Sequence, residues 1–317
     1  MIRNIFLLVL SALAAWSCTA TDDEMPQGPA NGTQPADARN SLCITIAPKP
    51  AFTQAAITMP DGKNSTNTRA LQTEKETKWE KGDVVWLYAS FIDVGGVRDK
   101  NYSALKYTGT TWRYLTEDEA DEFGLKTFGN VSFNRTLIYD RPEGSYKYIS
   151  VEIYAYYTGN GKPDKNGIIT IPSPDSGVSV PVMEASDVYY DFNFSQTLTL
   201  NFTYCCSRLR IPAGYGLEME NYGYYASYQL GKMYLSGLND YTSGLQLSAA
   251  DKDRDVFLLP VADASGTSVP VTLTLNGGAK WTFTPQRPAD TGNFTDYYGQ
   301  SYTLPALGSG SVTPGGM

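Results

Sequence analysis

The chain has 317 residues, 33 acidic against 25 basic side chains, and a net charge of −8, with no histidine at all. A negative chain lacks the basic footprint that nucleic acid and anionic lipid require. The missing histidine excludes Ser-His-Asp and Cys-His catalysis, histidine-ligated zinc and histidine-based pH switching. Carboxylate chemistry is left, but no pair of acids is singled out by spacing, so neither an enzyme nor a cofactor is expected. Charged residues make up only 18% of the chain and tyrosines number 23. With abundant Gly, Thr, Ser and Asn, that mix favours extracellular β-sheet, and the length suits two domains.

Residues 1–17 begin Met-Ile-Arg-Asn, run apolar from Ile5 to Trp16 and end on Ser17. This is the form of a secretory signal peptide, and its apolar run falls far short of the roughly 20 residues of a bilayer-spanning helix. Ala15-Trp16-Ser17-Cys18 resembles the lipobox of bacterial lipoproteins, which implies that Cys18 is acylated and becomes the new N-terminus. At roughly 0.8 kcal/mol per buried methylene, several acyl chains (palmitate and its like) hold a protein stably to a membrane. Asp22-Asp23-Glu24 resembles the surface-export signal of Bacteroidetes lipoproteins, which implies the outer leaflet of the cell outer membrane; a solvated linker start is the alternative. Residues 18–40 read as the lipidated N-terminus and a flexible linker.

A first strand is expected over Leu42 to Ile46, and Ala51 to Met59 extends it or pairs with it. Asp61 to Lys78 is polar, without periodicity, and reads as a long exposed loop containing Arg69. Strands follow over Asp83 to Phe91, over Leu105 to Tyr114 with a turn at Gly109, and over Val131 to Tyr139, with a brief helix over Thr116 to Phe123. Tyr146 to Tyr157 alternates with Ile149, Val151, Ile153 and Ala155 on one face. The turn Pro163 to Gly167 precedes another strand at Ile168 to Ile171.

A second set begins near Ser186. Leu198 to Ile211 reads as one long strand whose apolar phase shifts between Cys206 and Leu209, which a β-bulge would explain. Further strands are expected over Gln229 to Leu235, Val256 to Val261, Val269 to Leu275, Lys280 to Thr284 and Ser301 to Leu304. Short strands at regular spacing point to an all-β fold of two tandem β-sandwich domains, over 41–185 and 186–307, with a flexible tail over 308–317.

With Cys18 lipidated, Cys43, Cys205 and Cys206 remain, and no metal or redox spacing exists among them. In an extended strand Cys206 would join the core and Cys205 would face outward, and a disulfide from Cys43 to either stays open. Asp251, Asp253 and Asp255 alternate as in a calcium loop, but Val256 stands where Gly is needed and no Glu follows at the twelfth place, so this reads as a solvated turn. Tyr222, Tyr224, Tyr225 and Tyr228 could stack on sugar rings, or simply line a half-exposed sheet.

Thr68-Arg69-Ala70, followed by Trp79-Glu80-Lys81-Gly82-Asp83 at a strand start, resembles the fimbrillin-like lipoproteins of Bacteroidetes. So do Ile153-Tyr-Ala-Tyr-Tyr157, Leu200-Asn-Phe202 with Ser207-Arg-Leu-Arg-Ile211, Phe257-Leu-Leu-Pro260 and Gly299-Gln-Ser-Tyr302. The resemblance implies transthyretin-like sandwiches and a fimbrial (pilus) role in cell adhesion, as building block, anchor or tip. It also implies cleavage after Arg69, removal of the first strand, and replacement by a strand from another subunit. Lys63, Lys75 and Lys78 share that loop, and an uncut, solvated Arg69 is the other reading. The tail after Leu307 has little apolar alternation and contains Pro314, so it is a poor donor strand. A minor, tip or anchor subunit is therefore expected. The alternative is a surface lipoprotein that binds glycan or a host ligand without polymerising.

Overall fold

Alternating apolar residues form strands along most of the computed structural model, which describes residues 40–58, 64–65, 78–134, 148–190, 196–230, 238–258, 270–275, 278, 280–286 and 294–304. The first half holds β1 (Cys43–Ile46), β2 (Thr53–Gln54), β3 (Ile57–Thr58), β4 (Asn64–Ser65), β5 (Val84–Asp93), β6 (Arg98–Tyr107), β7 (Trp112–Tyr114), β8 (Tyr148–Tyr157) and β9 (Ile168–Thr170). Two short helices, α1 (Glu117–Glu122) and α2 (Leu125–Phe128), follow β7. Then come β10 (Met183–Tyr190), β11 (Thr197–Leu200), β12 (Thr203–Tyr204), β13 (Ser207–Ile211), β14 (Tyr215–Gln229), β15 (Leu238–Leu247), β16 (Arg254–Leu258), β17 (Val271–Leu275), β18 (Lys280–Pro285) and β19 (Gln300–Thr303). The fold is all-β, as the strand pattern requires.

A six-stranded antiparallel sheet runs β12-β10-β8-β5-β6-β7. β5 is apolar on both faces and takes a central place, where both are covered. Val85, Leu87, Ala89 and Phe91 enter one core, while Val84 and Trp86 enter another on the opposite side. β6 turns into β7 through Gly109, whose φ of +105° a side chain would resist. α1 opens on a capping box: the Thr116 hydroxyl accepts from the Glu119 N–H, and the Glu119 carboxylate accepts from the Thr116 N–H.

One local expectation is corrected in this half, and a second falls mostly outside the described residues. In β8, Ile92 opposes Ser150 while Asp93 opposes Tyr148, which makes Ile149 an extra, bulged residue. The bulge reverses the phase at that end, so Ile149 is 46% exposed and Tyr148 is buried; Val151, Ile153 and Ala155 face the core as the alternation predicts. In the strand expected over 131–139, the described residues 131–134 form only an isolated bridge, Asn134 to Ser41.

Leu198 to Ile211 is likewise not one strand with a bulge. It forms three short strands with different partners: β11 pairs with β1, β12 with β10, and β13 with β16 and β19. The alternation survives the breaks. Leu198, Leu200, Phe202, Tyr204 and Cys206 all enter the first core, whereas Leu209 and Ile211 enter a second. The phase shift therefore marks the passage of the chain from one core to the next. Cys205 lies opposite Cys206 in phase but is not outward-facing in effect, because a further apolar layer with Val182 and Tyr225 covers it. Cys43, Cys205 and Cys206 are buried and form no disulfide among the described residues. Burial raises the Cys205 thiol and pushes Cys206 up to about 12.

The second core packs the β16-β13-β19-β2 sheet against the sheet ordered β15-β14-β17-β18-β3-β4. The far end of β14 leaves that core and pairs with β9. The turn before β9 is built on Asp164, whose carboxylate accepts from the N–H groups of Asn166 and Ile168 at 2.8 Å each. Tyr225, Tyr228 and Leu230 then pack with Phe123, Leu125, Trp86 and Tyr156 on the back of the six-stranded sheet. β14 and β15 are not apparent in the sequence, where two register irregularities along β14 interrupt the alternation.

Candidate functional site

The most informative site is the seat of the first strand. β1 runs parallel to β11, with Cys43 opposite Thr197 and Ile46 opposite Leu200. Backbone bonds extend the seat at both ends, from Leu42 N–H to the Phe133 carbonyl (3.0 Å) and from Ala47 N–H to the Leu200 carbonyl (2.9 Å). The Tyr114 hydroxyl donates to the Leu42 carbonyl at 2.9 Å. Leu42, Ile44 and Ile46 are buried in the first core. At about 1.5–3 kcal/mol per fully buried aliphatic side chain, their burial contributes roughly 5–9 kcal/mol.

Beyond β1 the chain passes over the Trp79–Asp83 turn. Trp79 is buried edge-on against Trp112, Tyr157 and Phe202, with ring centroids 5.1–5.5 Å apart, and its indole N–H donates to the Ala47 carbonyl at 2.8 Å. Gly82, at φ +98°, lets the chain turn so that Asp83 folds back onto the Glu80 N–H, 2.8 Å from its carboxylate. Asp83 is only 2% exposed. Its other oxygen accepts from the Tyr157 hydroxyl and the Asn160 amide, both at 3.2 Å. Its cationic partner is Lys49, 3.1 Å away. The same ammonium lies 4.8 Å from the Trp79 ring centroid and 5.1 Å from that of Tyr157. Burial first, and then the Asp83 charge, pushes the Tyr157 hydroxyl far above its ordinary range.

The chain next runs along the first core toward the second. The Tyr204 hydroxyl donates to the Pro50 carbonyl at 3.0 Å, and the Tyr204 ring stacks on Phe52 at 3.7 Å. The Arg208 guanidinium lies 4.6 Å from the centre of the Phe52 ring. Arg208 is 2% exposed and is held by the Ser301 hydroxyl at 2.9 Å and Asp255 at 3.7 Å. β2 then runs parallel to β19, and β3 antiparallel to β18, placing Ala55 and Ile57 in the second core. Residues 41–58 are thus one continuous segment stitched through both cores.

The other residues singled out from the sequence fall elsewhere. Cys18, Asp22, Asp23, Glu24 and Arg69, with the signal peptide and the tail, lie outside the described residues. Asp253 accepts from the Ala213 N–H, and Asp255 holds Arg210 in a two-point pair at 2.8 Å per bond. Among the described residues no cluster of His, Cys, Asp or Glu is arranged to hold a metal. Tyr225 and Tyr228 are buried and offer no open face for stacking, Tyr224 packs in part against the second core, and the Tyr222 side chain lies outside the described residues. Sequence reasoning singles out Trp79 to Asp83 as a motif at a strand start but misses the roles of Lys49, Phe52 and Arg208, whose partners are distant in the chain.

No protein-family model and no curated protein matches the sequence. Among solved structures, the chain is similar to a protein assigned to cell adhesion from Bacteroides uniformis, at 15% identity over 85% of this chain and 92% of that one, with a TM-score of 0.40. It is also similar to a fimbrial assembly protein from Parabacteroides distasonis, at 11% identity over 83% and 89% of the two chains, with a TM-score of 0.36. A protein assigned to polysaccharide binding from Bacteroides thetaiotaomicron matches at 9% identity over 71% and 82%, with a TM-score of 0.35.

Proposed function

We propose that this chain is a fimbrial subunit with an adhesive role, anchored on the outer membrane surface through a lipid on Cys18 and joined to other subunits by strand addition. One observation carries the reading: the first strand fills a core from far away in sequence, by parallel pairing with β11. What holds residues 41–58 is backbone pairing, inserted side chains and the Lys49 ion pair, all of which an incoming extended strand can replace. A cut after Arg69 puts β1 to β4 on one side of the break and β5 to β19 on the other. Departure of the segment would vacate the places of Ile44, Ile46, Phe52 and Ile57 in two cores. Refilling them recovers about 25 cal/mol per Å² of apolar surface.

The tail after Leu307, rich in Gly and Ser and interrupted by Pro314, suits an acceptor more than a donor. The chain then occupies an end of a fibre, as a minor, tip or anchor subunit. Immunogold electron microscopy of surface fibres tests this. Label at one end is expected. Label along the whole fibre would refute the acceptor role, and fibres without label would refute the fimbrial one.

A further inference from the structure

Resting on that strand-addition reading, we infer that the strand accepted by this seat carries a cation and, three residues later, an aromatic side chain. These are the Lys49 and Phe52 positions of the resident segment. Residues 303–317 of this chain contain no Lys, Arg or aromatic residue, so that stretch is not the strand accepted; a partner subunit's strand carries the pattern.

The cation is required by Asp83. Three of its partners, the Glu80 N–H, the Tyr157 hydroxyl and the Asn160 amide, lie outside residues 41–58 and stay when the segment leaves. Lys49 departs with the segment, and it is the partner that neutralises the charge. A carboxylate 2% exposed and stripped of its cation is strongly disfavoured, so an apolar residue in that place would bury an uncompensated charge. The walls are also built for an ammonium or guanidinium. The Trp79 and Tyr157 rings both lie within about 6 Å of the present one, the range of cation–π attraction. The Lys49 side chain itself is 12% exposed, so the box is nearly closed around its occupant.

The aromatic is required by the next pocket. Its floor is the Tyr204 ring, stacked at 3.7 Å, with Phe257 at 5.7 Å. Its wall is the Arg208 guanidinium, 4.6 Å from the ring that covers it. A planar side chain fills this slot and keeps Arg208 dry, whereas a small one leaves a void beside a buried cation. Pro48 and Pro50 flank Lys49, and after the Ala47 N–H the backbone bonds to the seat are made by carbonyl oxygen, at Ala47 and Pro50. Donor strands with proline at those places therefore fit.

The test uses the full chain, nicked within residues 61–78 by a sequence-specific protease, and labelled 18-residue peptides that compete for the seat. A peptide of the chain's own residues 41–58 is the reference probe. Lys49→Met in the peptide is expected to weaken entry by about tenfold to a hundredfold. Lys49→Arg should restore it, and Phe52→Ala should weaken it by about tenfold or more. In an Asp83→Asn chain the reference peptide and its Lys49→Met variant should bind within about threefold of each other. Equal binding of all peptides to the native chain would overturn the inference and leave strand addition standing. Failure of every peptide, the reference included, would overturn strand addition and this inference with it. If Asp83→Asn does not fold, the peptide series on the unaltered chain decides alone.

Discussion

Replacing Ile44 with Ala asks whether β1 is a separately detachable element. Ile44 is almost fully buried and lies opposite Leu198 in the parallel pair. The truncation removes three carbons and leaves a cavity beside neighbours that include Leu42, Ile46 and Leu200. Such a change costs about 2–5 kcal/mol. The strand is held by roughly 5–9 kcal/mol of aliphatic burial against a roughly 5–10 kcal/mol cost of ordering its residues. The two sides are of similar size, so the strand's margin rests on its backbone hydrogen bonds at roughly 0.5–1.5 kcal/mol each, and a loss of about 3 kcal/mol should shift the local opening equilibrium by about two decades. Native-state hydrogen exchange read by mass spectrometry measures this directly. Protection over 41–47 and 197–200 should fall about a hundredfold while Val271–Leu275, in the second core, keeps its own. An equal fall in Val271–Leu275 would show that β1 opens only with the whole fold, and the seat would not be a site of exchange.

Three further outcomes are expected. The Arg113 hydrogen bond, aided by Lys106 and the Thr116 N–H, holds the Glu119 carboxyl well below the usual carboxylate range against an opposing effect of burial. A folded-state value below the unfolded one stabilises above about pH 4.3 and is lost as the pH falls through the interval beneath it. Glu119→Gln should therefore lower stability near neutrality by about 1 kcal/mol and flatten the acid limb of a urea-midpoint profile, and a profile parallel to the parent's would contradict this. The buried thiols of Cys43, Cys205 and Cys206 should react with a thiol probe only as the protein unfolds; rapid labelling of any one in the native state would show its layer to be open. Cys18→Ala should abolish incorporation of a fatty-acid probe and release the protein or leave an unprocessed precursor, whereas unchanged labelling would place the lipid elsewhere.

Features held by near neighbours in the chain are readable from the residues. The Leu105 to Tyr114 hairpin shows its turn as Gly109, and α1 shows its start in Thr116 and Glu119, because both signals act within a few residues. The same holds for the Pro163 to Gly167 turn and for the alternation from Leu198 to Cys206. Errors arise where one inserted residue changes every later position. Alternation alone puts Ile149 in the core because a bulge carries no marker of its own, and β14 hides behind its two irregularities.

The candidate site divides in the same way. Trp79 to Asp83 stands out in the sequence as a local motif at a strand start, while the turn that Asp83 closes and its burial come from the structure. That Lys49 neutralises Asp83, or that Phe52 lies between Tyr204 and Arg208, depends on pairs more than thirty residues apart. By itself the sequence determined an all-β chain, the period of its strands and the places of its turns, since backbone sterics and side-chain alternation act locally. Only the tertiary structure decided which strands lie side by side and which faces are covered. It alone covered both Cys205 and Cys206, and it alone laid residues 41–58 through two cores. A strand exposes the same backbone groups along either edge, so its partner is chosen by the packing of the whole and not by its own residues.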